Sequence, residues 1–167
     1  MTVTSVHKDP EAMTMSITSE LDATVERSWQ LWADPRQLER WWGPPTYPAT
    51  VVDHDLAVGG RVTYFMTGPD GEKFHGYWEV LDVDPPHRLE LLDGFADDSG
   101  APNDSLPRTT SVVTLRERDG GGTVMSITAT FPSEEAMEQL LSMGMDEGMA
   151  AAMGQIDGIL AGDGATR

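Results

Sequence analysis

RDGGGTVMSITATFPSEEAMEQLLSMGMDEGMAAAMGQIDGIL, residues 118 to 160, carries the two signals that decide the fold. Its first part is the end of a hairpin. Asp119-Gly120-Gly121-Gly122 supplies the backbone freedom of a tight turn, and residues 122 to 131 then alternate apolar with polar side chains, as a half-buried strand must. The second part opens on Pro132-Ser133-Glu134-Glu135, a cap followed by two acids at the positive end of a helix dipole. It predicts a helix running to about Leu160, with a break near Gly144. Met145, Met149, Ala152, Met153 and Ile156 recur at steps of three and four, so this helix has an apolar stripe that something upstream must cover.

Upstream, the punctuation is that of an antiparallel meander. Strands fit at 49 to 55, 60 to 67, 73 to 83, 88 to 95, 109 to 118 and 122 to 131. Gly68-Pro69-Asp70-Gly71 and Asp84-Pro85-Pro86 close two of the hairpins, and the Asp-, Pro- and Ser-rich residues 96 to 107 read as a solvated loop. Farther back, Met13 to Leu21 alternates as one more strand. Thr24 then caps a helix with Val25, Trp29 and Trp32 on one face. Asp34 with Gln37 forms a capping box, Pro35 suits the first helical position, and Gly43-Pro44-Pro45 ends a second short helix. The order predicts an α+β fold: a seven-stranded antiparallel sheet wrapped around a long C-terminal helix, with two short helices between strands one and two. The 167 residues make one domain, with a core over about 11 to 160 and flexible tails at 1 to 10 and 161 to 167.

Composition narrows the function. Eleven basic against 28 acidic residues give a net charge of −17, which repels nucleic acid and anionic lipid, so neither nucleic acid nor membrane is expected as a partner. The absence of cysteine removes disulfides, thiolate metal sites and cysteine nucleophiles. MTVTSVHKDPEAM lacks the apolar core of a signal peptide, so a cytoplasmic location is expected.

Five segments in order, WADPRQLERWWGP, VGGRVTYFM, HGYWEVLDVDPPHRLEL, RDGGGTVMSITATFPSEEA and GMDEGMAAAMGQIDGIL, resemble the SRPBCC superfamily. More narrowly, they resemble the group related to the C-terminal domain of the activator of Hsp90 ATPase. The resemblance spans about residues 11 to 160 and implies a helix-grip, or Bet v 1-like, fold. One departure is Gly144-Met145, where relatives usually carry Gly-Trp.

In such a fold the function sits between the concave face of the sheet and the long helix, and strand parity says which side chains point there. Val62, Tyr64 and Met66 face inward against Arg61, Thr63 and Phe65. Phe74, Gly76, Trp78 and Val80 face inward against His75, Tyr77 and Glu79. Leu89, Leu91 and Phe95, then Val113 and Leu115, then Met125, Ile127, Ala129 and Phe131, complete the face. Every one of these also suits a plain core. Methionines between 143 and 153 and glycines at 144, 148, 154 and 158 tilt the set toward a cavity, because they leave a soft wall with space behind it. The expected ligand-binding residues are Tyr64, Met66, Trp78, Phe95, Met125, Met145 and Met149, with Trp42 near the entrance beside Trp41. Tyr64 and the indole nitrogens of Trp42 and Trp78 would orient a ligand.

The catalytic inventory is thin. His7 falls in the tail, His75 points outward, His87 lies in a turn, and strand alternation separates His54 from Asp53 and Asp55. No nucleophile elbow, phosphate loop or metalloprotease motif occurs. No catalytic residue, metal or cofactor is therefore expected. The sequence favours a carrier or sensor of a small apolar molecule that works without turnover. The resemblance keeps two alternatives open, a chaperone-associated protein acting on an Hsp90 and a cyclase- or aromatase-like enzyme using the same cavity. A homodimer is also open.

Overall fold

The computed structural model describes the backbone of residues 2–165 and the side chains of residues 5–161. Strands β1 (Thr2–Asp9) and β2 (Thr14–Leu21) lead into helices α1 (Val25–Ala33) and α2 (Pro35–Trp41). A meander follows: β3 (Ala49–His54), β4 (Arg61–Thr67), β5 (Lys73–Asp84), β6 (Arg88–Ala96), β7 (Thr109–Glu117) and β8 (Thr123–Thr130). The chain ends in α3 (Glu134–Ser142), α4 (Met145–Met153) and α5 (Ile156–Ala165). All pairings are antiparallel in the order β1-β2-β8-β7-β6-β5-β4-β3, so β2 closes on the last strand of the meander and the sheet curves round the helices.

The local signals act as physics requires. Thr24 Oγ1 accepts the Arg27 N–H at 3.1 Å, and Ser133 Oγ accepts that of Ala136 at 3.0 Å. Asp34 accepts from the Arg36 N–H at 2.9 Å and from Gln37 Nε2 at 3.1 Å, with Pro35 starting α2. The two short helices thereby gather Trp32, Trp41 and Trp42 around Trp78 of the sheet. Trp32 meets Trp41 at a centroid distance of 4.8 Å, and Trp42 meets Trp78 at 4.8 Å, both edge to face.

Three expectations are corrected. The sheet has eight strands, because residues 2–9, read as a flexible tail, pair along β2 from Thr2 opposite Glu20 to Asp9 opposite Thr14. This is an edge strand with little to bury: Val6 is exposed, so it lacks the apolar face that betrays a strand in sequence. The long helix, expected to break once near Gly144, is interrupted there and once more, and so is three. Gly144 takes a left-handed φ of 86° that no continuous helix tolerates, and a second interruption follows at Gly154-Gln155. Gln155 Nε2 there donates to the Gly43 carbonyl at 2.7 Å, tying the α4–α5 junction to the end of α2. Finally, α5 carries the chain through residues 161–165 as helix, where a tail was expected; residues 1, 166 and 167 lie outside the described chain.

Candidate functional site

The space between the inner face of β4–β6 and α3–α4 is a cavity of about 540 Å³. Trp42, Tyr64, Met66, Phe95, Met145 and Met149 line it. Its rim is exposed: Phe74 is 53% accessible and stacks at 5.8 Å on Tyr47 on one side, and Met143 is 56% accessible on the other. The left-handed turn at Gly144 swings α4 so that Met145 and Met149 form part of its wall, half-buried and backed by the core.

Four placements differ from expectation. Trp42 is a deep wall residue, 6% exposed and packed against Trp78 and Tyr64, rather than an entrance residue; Trp41 is wholly buried, with its indole N–H donated to the Leu31 carbonyl at 2.9 Å. Trp78 and Met125 are fully buried behind the wall and do not line the cavity. Trp42 and Tyr64 cover Trp78, while Met125 Sδ accepts the indole N–H of Trp32 at 3.4 Å, so both belong to the core beneath the site.

The sequence reading missed Asp93. Strand β6 puts Leu89, Leu91, Asp93 and Phe95 on one face, and Asp93 sits opposite Trp78 in the register with β5. Its carboxylate enters the cavity and accepts the Tyr64 hydroxyl at 3.2 Å through Oδ1. Among the described residues, only Tyr64 is hydrogen-bonded to it. The same parity that selects Leu91 and Phe95 selects Asp93, so the signal was present as an acid in an otherwise apolar inner row.

Burial pushes the Asp93 carboxyl up to about 7, an effect that the Tyr64 hydrogen bond partly offsets. Burial and the neighbouring Asp93 charge together hold the Tyr64 phenol well above its ordinary value, so it remains a donor at any physiological pH. The indole N–H groups of Trp42 and Trp78 face the Tyr64 hydroxyl and favour its ionised form, but neither reaches hydrogen-bond geometry. Tyr64 can lie here because Gly76 is directly opposite on β5; a Cβ on that glycine would come within 2.5 Å of the phenol oxygen.

His75 borders the cavity but shares the outer face with Phe65, its partner in the register, at a ring distance of 5.6 Å. The register of β5 with β6 does shift between Val80 and Asp82, downstream of His75, yet the pairing with β4 keeps its side chain outward. His54 is engaged elsewhere, its Nε2 lying 2.9 Å from the Trp32 carbonyl. What the arrangement can do chemically is bury an apolar body of modest size and present the inward carboxylate of Asp93, held by a phenol, to its polar end.

The profile of the activator of Hsp90 ATPase homolog 1-like protein matches residues 22–161. Protein Ms6760 from Mycobacterium smegmatis is 56% identical, with 95% of this chain and 96% of that one aligned and a TM-score of 0.87. A protein from Arthrobacter aurescens, with a solution structure, is 52% identical over 96% of this chain and 92% of its own, with a TM-score of 0.91. A Rhodobacter sphaeroides protein at 23% identity and a TM-score of 0.82, over 95% of this chain and 98% of its own, shares the fold. No curated protein matches. With a profile spanning most of its length and two relatives more than half identical along nearly the whole of theirs, this chain belongs to the activator of Hsp90 ATPase homolog 1-like family and has its helix-grip fold.

Proposed function

We propose that the protein binds a small, largely apolar molecule between its sheet and α4, with the polar end of the ligand against Asp93 and Tyr64, and that it acts as a carrier or sensor. The observation that carries this reading is the cavity itself: about 540 Å³, walled largely by aromatic and thioether side chains, with the Asp93 carboxylate inside and Glu147 at the exposed rim. That is the composition of small-molecule sites, in which apolar contact supplies affinity and a few placed polar groups supply orientation. Met66, Met145 and Met149 give a wall that adapts to different shapes. Titration with a neutral fluorophore such as N-phenyl-1-naphthylamine tests it. Saturable one-to-one binding that quenches tryptophan emission is expected, and Met149→Trp, which fills the space, abolishes it while leaving the unfolding midpoint near its original value. Absence of saturable binding by the intact protein overturns the reading.

Asp93 favours a second reading, an enzyme of the cyclase or aromatase type. A carboxyl near neutrality inside an apolar cavity, bonded to a phenol, is suited to proton transfer at physiological pH. Turnover of aromatic ester or polyketide-like substrates that Asp93→Asn reduces at least a hundredfold would establish it. Binding of the same compounds without turnover supports the carrier.

A further inference from the structure

We infer that the cavity selects apolar molecules whose polar end is a protonated amine, held by the Asp93 carboxylate among the surrounding aromatic rings; this rests on the ligand-binding reading above. Asp93 Oδ1 accepts from Tyr64, and among the described residues Oδ2 has no partner. Among the described residues, no lysine or arginine lines the cavity. Its titratable lining residues are Tyr64 of β4, His75 of β5, Asp93 of β6, Glu147 of α4 and Tyr47 between α2 and β3. His75 turns to the outer face, α3 and its C-cap contribute Leu140 and Met143, and the start of β7 and the segment before it contribute Thr109 and Pro107. The interior therefore offers an anion and no cation.

An apolar ligand that seals this space leaves the carboxylate either desolvated and unpaired, which is costly, or protonated. A neutral hydroxyl satisfies Oδ2 but not the charge, and a ligand carboxylate adds a second one. An ammonium satisfies both. The walls suit it too, because the rings of Tyr64 and Trp42 stand 6.0 Å apart and Phe95 is two residues along β6 on the face of Asp93, so aromatic side chains line the cavity that a cation at the carboxylate would occupy. Glu147 at the exposed rim and a net charge of −17 draw cations toward the mouth. Since Asp93 titrates near 7 when the cavity is empty, binding an ammonium releases the carboxyl proton, and affinity rises with pH through that range.

Three naphthalenes with one apolar body test this: naphthalen-1-ylmethylamine, naphthalen-1-ylmethanol and naphthalene-1-carboxylic acid, titrated against the intact protein by calorimetry at pH 6 and pH 8. At pH 8 the amine is expected to bind at least tenfold more tightly than the alcohol, with the acid weakest, and the amine-to-alcohol ratio falls severalfold at pH 6. In Asp93→Asn the ratio drops to about one at both pH values, and an unchanged unfolding cooperativity shows that the variant is folded. Equal binding of amine and alcohol overturns the inference and leaves the ligand-binding reading standing. A preference that survives Asp93→Asn also overturns it, since selection then arises from the outer field of the protein. Binding of none of the three overturns both.

Discussion

Two tyrosines in this sheet are packed in the same way on opposite faces. Tyr64 of β4 lies over Gly76 on the inner face, and Tyr77 of β5 lies over Gly94 of β6 on the outer face; in each case the glycine is the directly paired residue of the next strand. Both rings are buried, at 8% and 1% exposure. Their surroundings differ. Tyr77 is covered by Arg61, whose guanidinium stands 5.5 Å from the ring centroid, and its hydroxyl makes no hydrogen bond among the described residues, with Arg108 beside it. Tyr64 donates to Asp93 at the floor of a cavity. One packing device thus serves twice, once to brace the sheet and once to place a polar group where a ligand can reach its partner. Separating the two uses is what experiments on this pair can do.

The largest effect is expected from the glycines. An alanine at Gly76 puts its Cβ 2.5 Å from both Tyr64 Cζ and Oη, and one at Gly94 puts it 2.7 Å from Tyr77 Cε1, so a ring must move in either case. Each substitution is expected to cost about 2–3 kcal/mol by overpacking, read from urea unfolding. Only Gly76→Ala should also weaken binding of N-phenyl-1-naphthylamine, by tenfold or more, because the displaced ring takes the Asp93 contact with it. A matching loss of binding in Gly94→Ala would erase the distinction between the two faces.

That distinction was partly legible beforehand. Alternation placed Tyr64 inside and Tyr77 outside, and the turn residues bounded six strands closely, because pleat parity and tight-turn chemistry are local properties of the chain. Asp93 escaped because a carboxylate in the row Leu89, Leu91, Phe95 reads as an interruption of a core unless its partner is known, and Tyr64 is 29 residues away. Trp78 and Met125 were given to the cavity on parity alone, which tells face but not depth; the tryptophans carried by α1 and α2 cover Trp78 and fill the space around Met125. The second interruption of the C-terminal helix also rests on a distant partner, the Gly43 carbonyl that Gln155 reaches.

A smaller effect separates the faces by pH. The folded-state carboxyl of Asp93 titrates near 7 against an ordinary 3.8, so the folded protein holds a proton that the unfolded chain has released. Its contribution to stability is complete below about pH 4 and is lost as pH rises through about 7. Asp93→Asn removes this dependence, and the variant should be more stable than the parent at pH 8 by about 2 kcal/mol, once the water that reaches the cavity wall is allowed for. The advantage should shrink steadily toward pH 5. Chemical unfolding of both proteins at four or five pH values reads it, and an advantage independent of pH would mean that Asp93 is not held in this state.

The smallest effect, and the sharpest test of the comparison, comes from removing the hydroxyls. The Tyr64–Asp93 bond of 3.2 Å is long for an O–H···O contact, so Tyr64→Phe should cost about 1 kcal/mol at pH 8, near the lower end for a bond to a charged acceptor. Because that bond favours the ionised carboxylate, its loss drives the Asp93 titration still higher, so the fall in stability begins near pH 4 as in the parent but continues to higher pH. Tyr77→Phe removes a buried hydroxyl without a hydrogen-bond partner, so its stability should stay within about 0.5 kcal/mol of the parent at every pH, with the pH profile unmoved. The two deletions differ by one oxygen each on rings packed alike. A shifted profile in Tyr64→Phe alone assigns the difference to the carboxylate and its cavity, whereas equal profiles would place Tyr64, like Tyr77, among the braces of the sheet.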